Sequence, residues 1–170
     1  NAQDRSIEAG LDTAILRILD LARWAPSGDN TQPWRFEILS DDRFVIHGSD
    51  TRDWCVYDLE GRASQLAIGA LLENIRIAAR GEGLSATFSI RQGMDETQPT
   101  IDVTLAEDAD AASGTGDTLL PFMKHRATQR RPLSTMSLTA SHRAALEQSV
   151  GEAYTVRWLD QPQQKRDMAR

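Results

Sequence analysis

The sequence predicts an α+β protein, with a mainly antiparallel sheet packed by helices around one long buried helix. Three observations carry this. Trp34 to Leu39 and Arg43 to His47 alternate apolar and polar residues on either side of the turn-forming Ser40-Asp41-Asp42, the pattern of a hairpin. A second alternating pair runs at Ala86 to Ile90 and Ile101 to Leu105. Between the pairs, Gly61 to Gly83 is the strongest helical stretch. Its Leu66, Ala67, Gly69, Ala70, Leu71, Ile75, Ile77, Ala78 and Ala79 leave it apolar on most of its circumference, as in a buried helix. Gly69 and Ala70 would let another helix come close.

The other elements follow in chain order. Asn1-Ala2 reads as the remnant of a cleaved tag and is set aside. Asp12 or Thr13 can cap a helix whose Ile15, Ile18, Leu19 and Ala22 fall at helical spacing. Pro26 is expected to stop it, because the residue before proline is pushed out of the helical region. Glu107 to Asp117 is acidic, rich in Ala, Gly and Ser, and nearly free of large apolar residues, so it reads as a linker. Beyond it, a short helix is expected over Leu119 to His125 and a further helix, capped by Thr139, through Val150. A strand is expected at Tyr154 to Leu159 and a polar helix from Asp160.

Bulk properties narrow the function. A chain of 170 residues supports one domain with a real core. Its net charge of −6 argues against a sequence-independent nucleic-acid binder, which needs a basic face to displace counterions. Every long apolar run is broken by Arg, Glu or Asn, so no membrane span is expected. With Cys55 as the one cysteine, an intramolecular disulfide and a Cys-rich metal site are excluded. That fits a reducing compartment, and a cytoplasmic location is expected. His47, His125 and His142 are far apart and show no metal-ligand spacing.

Two segments carry candidate chemistry. In the first, Ala22-Arg23-Trp24-Ala25-Pro26-Ser27-Gly28-Asp29-Asn30-Thr31-Gln32-Pro33-Trp34-Arg35-Phe36, a helix hands over to a loop dense in donors and acceptors before a strand begins. Ser, Asn and Gln held between two rigid elements can address the polar edge of a planar ligand. They can equally satisfy the loop's own backbone. In the second, Lys124-His125-Arg126-Ala127-Thr128-Gln129-Arg130-Arg131-Pro132, an extended backbone would point Arg126, Thr128 and Arg130 the same way. Two guanidiniums and a hydroxyl on one face suit a phosphate. The alternative is a solvated basic turn. No Gly-rich strand-to-helix turn for a dinucleotide is present, so a mononucleotide is the better match.

The first segment resembles the "APSxxNTQPW" signature of the nitroreductase family, and the second resembles that family's "RxSxR" motif with Thr128 in place of Ser. The apolar stretch from Gly61 to Gly83 is similar to the family's long central helix. This resemblance implies a nitroreductase-like α+β fold holding FMN at a two-fold interface, with NAD(P)H as hydride donor and a small acceptor of nitroaromatic or quinone type. It implies Arg126 and Thr128 on the phosphate and ribityl region, and Arg130 near the flavin N1/C2 carbonyl edge. Pro26, Ser27 and Asn30, with Gln32 as a lesser contact, would come from the opposing half. No catalytic acid or base is implied, since the flavin carries the chemistry.

Motif order departs from the ordinary family, in which the basic motif comes first. It resembles a tandem subgroup in which two nitroreductase-like halves form a pseudo-dimer. The resemblance therefore implies a first half over residues 3–106, a linker over 107–117 and the start of a truncated second half over 118–170. The chain then needs either a second copy or further chain to complete the flavin site. Besides an enzyme, the resemblance allows a flavin-binding or storage protein, or a regulatory module without turnover.

Overall fold

Thr13 opens the first helix, α1 (Ala14–Ala22), its hydroxyl accepting from the Leu16 N–H at 3.4 Å. Asp12, the other expected cap, lies outside the described residues. The computed structural model describes residues 13–93, 95–109, 118–132, 134 and 136–169, in two compact units, Asn1–Thr128 and Gln129–Arg170. Most of the expected linker, residues 110–117, also lies outside them.

In the first unit α1 buries Ile15, Ile18, Leu19 and Ala22, the four apolar positions read from the sequence. It ends before Pro26: the Ala25 N–H turns back to the Ala22 carbonyl at 2.9 Å. The expected hairpin is β1 (Trp34–Ile38) and β2 (Arg43–Gly48), and the second pair is β3 (Leu84–Ile90) and β4 (Thr100–Glu107). β2 pairs antiparallel with β4, which joins the two hairpins into one four-stranded antiparallel sheet of order β1-β2-β4-β3. Phe44 opposes Val103 and Ile46 opposes Ile101, so both strands turn the same residues toward the helices.

Between the hairpins runs α2 (Arg62–Gly81), 20 residues long. Ile68, Leu71, Ile75 and Ala78 recur at helical spacing and are buried together with α1 and the inner face of the sheet, and Ser64 at the head of the helix is buried against Asp58. The expected burial all round does not hold. Leu66 is 76% exposed and Gly69 is exposed, because the sheet and α1 cover only one side of the helix. The expected helix at Leu119 to His125 shrinks to a 3₁₀ turn, Leu120–Phe122, with Met123 entering the core.

The second unit holds α3 (Ala140–Ser149), capped by the Thr139 hydroxyl on the His142 N–H at 3.2 Å, and α4 (Pro162–Met168). None of its described residues is buried. The strand expected at Tyr154 to Leu159 is absent. No other described segment of this unit is extended in a ladder, and an isolated strand leaves its backbone groups without partners. Side chains hold the segment to α3 instead. Asp160 takes two hydrogen bonds from Arg143 at 2.8 and 2.9 Å, and the Arg143 guanidinium lies 4.8 Å from the Trp158 ring centre.

Candidate functional site: the Pro26–Trp34 loop and its surroundings

Between α1 and β1 the chain makes a 3₁₀ turn at Gly28–Asn30, closed by the Asn30 N–H on the Ser27 carbonyl at 3.1 Å and the Thr31 N–H on the Gly28 carbonyl at 2.9 Å. Asp29, Asn30 and Gln32 all take positive φ (47°, 57° and 47°). Asn and Asp enter the left-handed region more readily than other side chains, whereas Gln does so at a cost. The Ser27 hydroxyl offsets part of that cost by accepting the Gln32 N–H at 3.0 Å. Ser27 is thereby engaged by its own loop. The side-chain amides of Asn30 and Gln32 are exposed and make no hydrogen bond among the described residues.

Tyr57, which precedes α2, braces this turn. Its hydroxyl donates to Asp29 Oδ2 at 2.7 Å, and its ring lies against Gly28, where a Cβ would stand 3.0 Å from both Tyr57 Cε2 and the hydroxyl oxygen. Cys55 beside the hydroxyl, and then the Asp29 carboxylate, raise the Tyr57 pKa above its ordinary value.

Behind Tyr57, the Asp58 carboxylate sits at the start of α2 and is 2% exposed. Burial would raise its pKa, but the hydrogen bonds it accepts outweigh burial and hold it well below the usual carboxylate range. They come from the Ser64 hydroxyl (2.6 Å), the Thr51 hydroxyl (2.8 Å), and the backbone N–H groups of Thr51 (3.1 Å), Ala63 (2.8 Å) and Ser64 (3.2 Å). Two of these are free N–H groups of the helix terminus, so Asp58 caps α2 where Gly61, the residue at the cap position, has no side chain to do so.

The basic segment meets the head of the loop. Arg126 donates to the Trp24 carbonyl at 3.2 Å, and Lys124 pairs with Asp20 at 2.9 Å while its ammonium lies 6.0 Å from the Trp24 ring centre. Two regions more than 100 residues apart are thus adjacent, because the 3₁₀ turn at Leu120–Phe122 returns the chain to α2. Thr128 is exposed with no hydrogen bond among the described residues. Arg130 is exposed and belongs to the second unit.

At its other end the loop borders a cleft of about 680 Å³, lined by Gln32, Arg35, His47, Asp50, Trp54 and Gln98 among others. Sequence reading missed Tyr57, Asp58, Arg35 and Trp54. The one available signal was the aromatic-rich Trp54-Cys55-Val56-Tyr57, which fits no helix or strand and still carries large side chains. Comparison of the chain with protein-family models and with curated proteins finds no match to either.

Proposed function

We propose that the chain is the FMN-binding part of a nitroreductase-type reductase that takes a hydride from NAD(P)H and delivers it to a small oxidised acceptor. The observation that carries this reading is the Arg126 guanidinium on the Trp24 carbonyl, which sets the basic segment beside the Pro-Ser loop. The side chains fit such a ligand. The free amides of Asn30 and Gln32 offer donors and acceptors for a pyrimidine edge, and Arg126 offers a cation for a phosphate. Bound FMN would supply the hydride transfer, and the chain's residues would hold and orient it. In this reading Arg126 and Thr128 hold the phosphate and ribityl region. Pro26, Ser27 and Asn30, with Gln32, contact the ring from the other side, and a second copy or a further half of the protein closes the site.

The visible spectrum of the purified protein tests the reading, followed by extraction of the cofactor and a steady-state assay of NAD(P)H oxidation with a quinone. Flavin absorption, released FMN and quinone-dependent oxidation are expected. A protein that stays colourless after incubation with FMN, or that releases FAD, overturns the reading. FMN bound without NAD(P)H oxidation replaces the reductase by a flavin-storage protein.

A further inference from the structure

The cleft beside β1 has a chemistry of its own. Arg35 on β1 and His47 on β2 are cross-strand partners on the sheet face turned away from the helices. The acids near them are already engaged. Glu37 takes the His47 Nε2 contact at 2.8 Å, and Asp50 is bound by Arg52 Nε at 2.6 Å. The Arg35 side chain makes no hydrogen bond or ion pair among the described residues, so its guanidinium lines the cleft without a partner there. Trp54 lines the same cleft and is 68% exposed, a large aromatic surface left in water. The side-chain amides of Gln32 and Gln98 also line it and make no hydrogen bond among the described residues. The volume of about 680 Å³ is ample for a bicyclic molecule.

We infer that this cleft binds a planar aromatic anion, an arene carboxylate or its like. Arg35 takes the carboxylate, since a guanidinium presents two parallel N–H donors to its two oxygens. Trp54 takes the ring, and the Gln32 and Gln98 amides address polar groups at the ring edge. The inference does not rest on the flavin reading. Thr31, Gln32, Pro33 and Trp34 belong to both the first motif and the cleft wall, whereas Arg35, Trp54 and Gln98, which with Gln32 make the proposed contacts, lie outside the signature.

The test is calorimetric titration of the 170-residue chain, without flavin, using 2-naphthoate and its neutral counterpart 2-naphthalenemethanol. Saturable binding of the acid is expected, with the alcohol about tenfold weaker or more, which is the order of one charge-assisted pair. Arg35→Gln is expected to bring the acid down to the affinity of the alcohol, and Trp54→Ala to weaken both. Arg35 and Trp54 are exposed, so both variants are expected to keep the fold, and circular dichroism checks it. No saturable binding of the acid, equal affinity for acid and alcohol, or unchanged affinity of the Arg35→Gln variant for the acid each overturns the inference. Because flavin is left out, failure here leaves the FMN reading standing, and the reverse also holds.

Discussion

Asp58 and Gly61 each answer to one local demand. The Asp58 carboxylate accepts five hydrogen bonds through two oxygens, with its neighbours' N–H groups on both sides. In Asp58→Asn one oxygen becomes an NH₂ that faces N–H donors, and a loss of about 2–3 kcal/mol in chemical denaturation is expected. The folded pKa is depressed, so the folded state binds fewer protons than the unfolded one at low pH. The stabilisation from Asp58 is present above the ordinary carboxylate value of about 4 and is lost as pH falls below it toward the folded value. Wild type is expected to lose stability over that window, and Asp58→Asn to lose less. A parallel pH dependence in the two proteins would remove Asp58 from this role. Gly61 stands at φ 74°, and a Cβ there would lie 2.6 Å from Asp50 Oδ2 and 2.7 Å from the Arg52 guanidinium. Gly61→Ala is expected to cost about 1–2 kcal/mol from the left-handed backbone alone, read by the shift in denaturation midpoint.

At the scale of elements, α2 is held by its buried face and the Pro26–Trp34 loop by its brace. Leu71, 0% exposed, packs between α1 and the sheet, so Leu71→Ala is expected to cost about 2–5 kcal/mol in denaturant unfolding. A cost below 1 kcal/mol would mean that the helix is not packed as described. Tyr57→Phe keeps the ring against Gly28 and removes the hydrogen bond to Asp29. The global effect is expected to be small, about 1 kcal/mol or less, since the pair is exposed. The local effect is larger: faster amide exchange is expected at Asn30 and Thr31, whose N–H groups close the 3₁₀ turn. If the loop binds FMN, the same variant should bind it more weakly. Unchanged exchange at both amides would show that the turn does not need Tyr57.

For the molecule as a whole, the unburied side of α2 matters most. Leu66 is 76% exposed, Ala70 and Leu72 are half-buried, and nothing lies within 4 Å of a Cβ placed on Gly69. Apolar surface of this kind favours association. Sedimentation is expected to give a mass above the 18.9 kDa of one chain, rising with concentration. Leu66→Arg is expected to return it to one chain without loss of stability, since the side chain supports nothing in the core. A single-chain mass at all concentrations would remove the self-pairing arm of the proposal.

Local patterning by itself determined most of the elements. Helical spacing of Ile15, Ile18, Leu19 and Ala22 placed α1, alternation placed all four strands, and turn residues placed the loop that carries Asn30 and Gln32. Such signals are legible because they depend on neighbours a few residues apart. Only the tertiary structure decided the pairing of β2 with β4, the one-sided burial of α2, the meeting of Arg126 with Trp24, and the gathering of Arg35 and Trp54 at one cleft. It also decided that Tyr154 to Leu159 makes no strand, since alternation tells which face of a strand is apolar and not whether a partner strand exists. Pairing, cover and convergence are properties of residues distant in the chain, and one sequence carries no local mark of them.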